Sequence, residues 1–117
     1  MKLARVHHVS LNVSDLEAAQ TFYTDVLEMP LLDRPDFGFR GAWLDAGEQQ
    51  VHLIEIADFE APEGQHVAFQ VADLAATASE LTARGVEVTT AREIDGVCLQ
   101  AFFSDPTGNL IELNQPL

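Results

Sequence analysis

Apolar residues occupy every second position near the N-terminus, at Val9, Leu11 and Val13. This spacing places their side chains on one face of a β-strand and leaves the polar neighbours on the other face. The pattern therefore predicts a half-buried strand over residues 5–13.

The rest of the first half predicts one helix and further strands. Residues 14–17 read Ser-Asp-Leu-Glu, a capping box that begins a helix, and the apolar stripe of that helix ends at Pro30. Alternating apolar residues predict strands near residues 37–45 and 50–57, and a short strand near 31–34 fits the same pattern.

The second half repeats this order of elements. It predicts a strand over 65–72 and a helix from the Asp73 cap to Arg84; three strands follow near 86–91, 97–104 and 109–115.

The two halves also align residue by residue. His8 aligns with His66 at an offset of 58 residues, and later pairs such as Trp43 with Phe103 and His52 with Glu112 align at 60. Internal similarity of this kind indicates two copies of one supersecondary unit. We expect one α+β domain over residues 1–117, built from two βαβββ modules, 1–57 and 64–117, related by a pseudo-twofold axis.

In each module, polar side chains lie on the strand face opposite the predicted helix. They are His8 and His52 in the first module and His66 and Glu112 in the second. A single histidine on a strand is more often an exposed or hydrogen-bonded polar residue than a metal ligand. Four donors at related positions, however, favour a shared site for one divalent ion. Imidazole and carboxylate donors suit zinc, nickel, iron(II), manganese or cobalt. His7 falls on the core-facing side by the same alternation, and we expect it to be structural.

Charge and composition exclude several functions. The formal net charge is −13, which argues against binding nucleic acid or an anionic membrane, because both need basic patches. No apolar run is long enough for a membrane span and no signal-like segment begins the chain, so a cytoplasmic protein is expected. The single cysteine, Cys98, lies in an apolar stretch typical of an inert buried thiol.

Two phrases of the sequence resemble a known family. The first, "HHVSLNVSDLEAAQTFYTDVLEMPL", covers the first strand, the helix cap and the turn after the helix, and the second is the closing "FFSDPTGNLIEL". Both resemble the vicinal oxygen chelate superfamily, which includes glyoxalase I, extradiol dioxygenases and bleomycin-binding proteins. The resemblance implies a half-open β-barrel around a metal held by His8, His52, His66 and Glu112. It also implies a small-molecule substrate with neighbouring oxygens, and a homodimer.

Position 52 separates the activities that the resemblance allows. Glyoxalase I enzymes generally carry a carboxylate there, whereas this chain has His52. We expect a glyoxalase-like lyase in which Glu112 or His52 is the catalytic acid/base. The alternatives are an extradiol-type dioxygenase or a fosfomycin-type thiol transferase using His8, His66 and Glu112, and a metal-free binding protein of the bleomycin type.

Further residues are candidates for binding the substrate. Arg40 lies in the middle of a predicted strand and could bind an anionic group, or it could be an ordinary exposed arginine; Asn12 and Gln100 are polar candidates on other strands. Four aromatic residues at strand positions could line a pocket or belong to the core: Phe37, Phe39, Trp43 and Phe102.

Overall fold

The computed structural model describes residues 1–117, which divide into two compact units, Met1–Glu60 and Ala61–Leu117. In the first unit, helical residues follow strand β1 and precede three more strands. The elements are β1 (His8–Val13), α1 (Leu16–Thr21), a π-helical segment (Phe22–Val26), β2 (Leu31–Leu32), β3 (Gly41–Ala46) and β4 (Gln49–Glu55).

The second unit has the same order of elements. They are β5 (His66–Gln70), α2 (Leu74–Ala83), β6 (Arg92–Ile94), β7 (Cys98–Ser104) and β8 (Leu110–Pro116). No helix in either unit is long and apolar enough to cross a membrane.

The two sheets share one topology. The strand order is β1-β4-β3-β2 in the first unit and β5-β8-β7-β6 in the second, and in each the first strand runs parallel to the last. The register also matches: Ser10, two residues after His8, pairs with His52, and Ala68, two residues after His66, pairs with Glu112. The predicted α+β class and the two βαβββ modules are therefore confirmed.

Each helix begins at an aspartate. Asp15 accepts a hydrogen bond from the backbone N–H of Ala18 (3.1 Å), and Asp73 accepts one from Ala76 (3.0 Å). Asp73 is thus the predicted cap. In α1 the N-cap is Asp15 rather than Ser14, the first residue of the predicted capping box, because the Asp15 carboxylate accepts the free N–H of Ala18.

The last strand of each sheet contributes a second contact to the helix start. Glu55 Oε2 accepts from the N–H of Leu16 and Gln115 Oε1 accepts from the N–H of Leu74, both at 2.8 Å. These bonds join each helix to the end of the strand that carries His52 or Glu112. The helices accordingly pack over the sheets through Val51 and Leu53 in one unit and Ile111 and Leu113 in the other, all of them buried.

Two predicted strands lie elsewhere than expected. Residues 86–91 form no strand; β6 begins at Arg92 and pairs with β7 over three residues. Strand β3 begins at Gly41 rather than at residue 37, since Gly38 takes a positive φ of 80° that interrupts extended backbone.

Gly41 permits close packing at the start of β3. A Cβ at this position would clash with the carbonyl oxygen of Leu53 and would lie 2.8 Å from Nη2 of Arg34. We predict that Gly41→Ala lowers the free energy of unfolding by about 1–3 kcal/mol, because a backbone carbonyl cannot move aside cheaply.

Urea unfolding measures this effect, with Gly47→Asn as the control. Gly47 lies in a turn at φ 88° with open space around its Cβ position, and asparagine tolerates that backbone. Equal losses of stability in the two variants would show that the packing at Gly41 is not tight.

Candidate functional site

His66 and Glu112 lie side by side in the second unit. Nε2 of His66 is 3.2 Å from Oε1 of Glu112, and the two residues occupy the neighbouring strands β5 and β8. The His66 side chain is 34% exposed, whereas that of Glu112 is only 8% exposed. The pair therefore places one open imidazole beside one enclosed carboxylate.

The hydrogen bonding of His66 determines which of its ring nitrogens is free to bind a ligand. Nδ1 lies 2.8 Å from the carbonyl oxygen of Gly64. A carbonyl can only accept, so Nδ1 carries the hydrogen and Nε2 faces Glu112. Metal-binding histidines commonly donate their second N–H to a carbonyl in this way.

The separation of the two donor atoms fits a shared ion. Ligands about 2.0–2.1 Å from a metal lie about 2.9–3.4 Å from each other along an edge of an octahedron or tetrahedron. The observed 3.2 Å between Nε2 and Oε1 falls in this interval. A proton on Nε2 would also bridge the two atoms, as an ion pair. The donor set and its spacing are thus compatible with a divalent cation.

Amide side chains orient the Glu112 carboxylate. Gln100 Nε2 donates to Oε1 at 3.3 Å and Asn114 Nδ2 donates to Oε2 at 2.8 Å. Both amides come from the sheet itself, on β7 and β8. In this structure Gln100, which we predicted to bind substrate, contacts the carboxylate, and its role toward a substrate stays a prediction.

His8 and His52 form a second pair, in the first unit. Their rings stack with centroids 4.0 Å apart and planes inclined by 16°. Nδ1 of His8 contacts Nδ1 of His7 at 2.9 Å, and Nε2 of His52 contacts Oε1 of Gln50 at 2.8 Å. The remaining nitrogens, Nε2 of His8 and Nδ1 of His52, have no protein partner.

The environment of His52 favours its neutral form. Burial lowers the pKa of His52 below its ordinary value of 6.5, and the positive charges of His8, His7 and Arg34 lower it further. A neutral imidazole keeps a lone pair on the nitrogen that does not face Gln50, and that lone pair is what a metal ligand requires.

His7 is not core-facing. It is exposed, precedes β1 and contacts His8. The predicted alternation fails here because the strand begins only at His8. His7 lies instead against His8, with the two ring centroids 5.2 Å apart.

An aromatic pocket lies next to the histidine pair. Its volume is about 350 Å³. Its lining is entirely from the first unit: His7, His8, Ser10, Arg34, Phe37, Phe39, Trp43, His52, Leu53 and Ile54. Phe37, Phe39 and Trp43 therefore line a pocket rather than a closed core.

The strand register corrects one expected equivalence. Trp43 pairs with His52, and the residue that pairs with Glu112 is Phe102, not Phe103. Phe102 packs edge-on against His66 with ring centroids 5.5 Å apart. Each unit thus places an aromatic ring beside its pair of candidate ligands.

Two further predicted residues lie apart from these pairs. Arg40 is exposed and forms ion pairs with Glu17 at 2.7 Å and Glu55 at 3.1 Å, which raise the pKa of Arg40. Asn12 is exposed near the end of β1. A substrate anion at Arg40 would have to compete with two carboxylates, so its substrate role stays a prediction, as does that of Asn12.

Sequence reasoning missed Arg34 and Gln50. Arg34 lines the pocket and Gln50 binds the ring of His52. Gln50 could have been noticed because it lies two residues before His52, on the same strand face. Arg34 precedes a proline in a segment without regular structure, and no periodicity indicates where its side chain lies.

Each unit thus supplies two candidate ligands and no more. Within either unit, no three side chains of histidine, cysteine, aspartate or glutamate gather as a metal site. A complete site with the predicted four ligands would need both pairs.

Comparison with known proteins agrees with the fold described above. Residues 5–113 match the Glyoxalase/Bleomycin resistance protein/Dioxygenase superfamily, and the chain belongs to this family. A Vibrio cholerae protein described as a "probable lactoylglutathione lyase" is 36% identical, with 95% of this chain and 90% of that protein covered.

Solved structures show the same fold. A Bacillus anthracis protein assigned to the glyoxalase family superposes with a TM-score of 0.90 at 25% identity, covering 100% of this chain and 98% of the other. TnmS3, an antibiotic-binding protein from Streptomyces sp. CB03234, gives a TM-score of 0.84 at 30% identity, covering 100% and 99%. The chain is thus similar both to a protein described as a lyase and to an antibiotic-binding protein.

The lowered pKa of His52 predicts a pH-dependent stability of the metal-free protein. Between the unfolded value of 6.5 and the lower folded value, the unfolded chain binds more protons than the folded chain. The free energy of unfolding that neutral His52 contributes above pH 6.5 is therefore lost as the pH falls through the pKa of His52 in the folded protein.

Urea unfolding in EDTA from about pH 7.5 to about pH 5 tests this prediction. The free energy of unfolding should fall less steeply with decreasing pH in His52→Gln than in the unsubstituted protein. Identical pH slopes would show that His52 does not contribute.

Proposed function

We propose that this protein is a metal-dependent, glyoxalase-like lyase that acts on a small molecule with two neighbouring oxygen atoms. His8, His52, His66 and Glu112 are assigned as the ligands of one divalent ion. The observation that carries the proposal is the arrangement of His66 Nε2 and Glu112 Oε1, 3.2 Å apart, with Nδ1 of His66 bonded to a carbonyl.

Sequence relationship supports the choice of reaction within the family. The Vibrio cholerae relative covers nearly the whole chain. A related activity here would convert the hemithioacetal of an α-oxoaldehyde and a thiol into a thioester. This isomerisation moves one proton from a carbon to the adjacent carbon and one hydroxyl proton between the oxygens of the same two carbons, so no atom is gained or lost.

The chain offers two groups for that proton transfer. When bound, a divalent ion supplies Lewis-acid polarisation of two adjacent substrate oxygens. Glu112 or His52 would take the proton from one carbon and return it to the next. Gln100 and Asn114 hold the Glu112 carboxylate in one orientation, and Gln50 holds the His52 ring.

His52 distinguishes this chain from the usual glyoxalase ligand set. His8, His66 and Glu112 alone make a two-histidine, one-carboxylate set, which extradiol-type dioxygenases and fosfomycin-type thiol transferases of the family use. Assays with catechols and with fosfomycin plus a thiol would identify those reactions if the hemithioacetal is not converted.

Metal-free binding of a small molecule is the second candidate function. The open aromatic pocket favours it, since exposed rings at a pocket provide contact area for a ligand without any chemistry. The similarity to the antibiotic-binding protein TnmS3 is consistent with it.

The proposal also covers the oligomeric state and the cellular compartment of the enzyme. We expect a homodimer in the cytoplasm, with the two pairs of ligands brought together either within one chain or between two chains. Light scattering of the purified protein measures its oligomeric state.

Metal content tests the lyase proposal directly. We predict about one divalent ion per chain in protein purified without chelator or affinity tag, measured by elemental analysis. His66→Ala and Glu112→Gln should lose the ion, and hemithioacetal conversion should fall at least about 100-fold.

Glu93→Gln is the matched control for Glu112→Gln. Glu93 is an exposed residue of β6 in the same sheet, so this substitution removes the same charge away from the pair. A protein that binds no ion even after reconstitution would contradict the lyase proposal and leave the binding protein as the function.

A further inference from the structure

A row of aromatic rings crosses the sheet of the first unit. His52 stacks on Trp43 with centroids 4.4 Å apart and planes inclined by 9°, and His8 stacks on the other side of His52. Phe37 follows Trp43 at 6.0 Å, and Phe39 stacks on Phe37 at 5.7 Å. We call these five residues the ring row.

The ring row leaves apolar surface uncovered. Phe37 is 49% exposed and Phe39 is 51% exposed, although both rings contact the pocket. Exposed aromatic rings grouped around a concavity indicate a ligand-binding surface rather than a poorly packed part of the core. The rings of His8, His52 and Trp43 lie in near-parallel planes, whereas the plane of Phe37 is inclined by 42° to that of Trp43. Exposed aromatic rings fit a flat ligand best, because stacking needs two planar partners.

A cation lies beside the ring row. The Arg34 guanidinium lies 4.9 Å from the centroid of Phe37 and 5.0 Å from that of Phe39. It makes no ion pair with any carboxylate, although the chain has 19 acidic residues and only 6 lysines and arginines. In contrast, Arg40 on the same unit is paired twice.

The fold restricts where this guanidinium can go. On one side it contacts the two phenylalanine rings, and on the other it lies against the backbone of Gly41, where a Cβ would come within 3.0 Å of Cζ. A planar guanidinium held in this way keeps its N–H donors available and loses little freedom when it binds an anion.

We propose that this pocket binds a planar aromatic carboxylate, with the ligand ring against the ring row and the carboxylate on Arg34. Aromatic contact and one unpaired guanidinium together select a flat anion over a neutral or an aliphatic molecule. Binding itself needs no metal. As the substrate class of an enzyme, the assignment rests on the proposed function, because His8 and His52 belong to both sites.

Calorimetry in EDTA with two probes tests the proposal. The probes are naphthoate and naphthamide, which share a ring system and differ in charge. We expect naphthoate to bind about tenfold more tightly, since a charged hydrogen-bonded pair is stronger than a neutral one. Trp43 is the only tryptophan, so binding in the pocket must also change the intrinsic fluorescence.

Three arginine variants identify the group that recognises the carboxylate. Arg34→Met should remove the tenfold preference, and Arg34→Lys should retain part of it. Arg92→Met is the matched control, because Arg92 is exposed on β6 and lies outside the pocket. The preference should be unchanged in that control.

The outcomes separate this inference from the proposed function. Equal affinity for the two probes, a preference that survives Arg34→Met, or binding without a change in Trp43 fluorescence would overturn the inference, whatever the metal content. A preference that depends on Arg34 in a protein that binds no metal would support the inference and contradict the lyase.

Discussion

A carboxylate on a central strand is the constraint on which the candidate site depends. Glu112 lies on β8, between β5 and β7, and is 6% exposed. A polar group in such a place needs partners, because burying it without them costs free energy. His66 on β5, Gln100 on β7 and Asn114 on β8 itself provide those partners. The sheet therefore positions the ligand and its supporting contacts together.

The same topology explains why the first unit carries a matching position. His52 occupies the equivalent place on β4, two residues on from His8 in register, and is 8% exposed. An imidazole at this position can both stack on neighbouring rings and bind a metal ion. A carboxylate can bind a metal ion but cannot stack. The replacement of a carboxylate by His52 thus joins the candidate metal ligands to the aromatic pocket.

Much of this arrangement was readable from the sequence, since alternation and repetition are local signals. The offsets that align His8 with His66 and His52 with Glu112 predicted which strands correspond. Between those positions the alignment was wrong by one residue, because the β7–β8 turn is longer than the β3–β4 turn. The residue that pairs with Glu112, as Trp43 pairs with His52, is therefore Phe102 and not Phe103. Arg34 could not be predicted, because its position depends on contacts with Gly41 and two rings rather than on any period.

The central claim is that His8, His52, His66 and Glu112 bind one ion together. X-ray absorption spectroscopy of the protein loaded with cobalt or nickel counts the imidazole ligands through their multiple scattering. The account predicts three imidazoles and at least one oxygen around a single metal. A spectrum with fewer than three imidazoles would contradict it, because at least one of the three histidines would then not bind the ion.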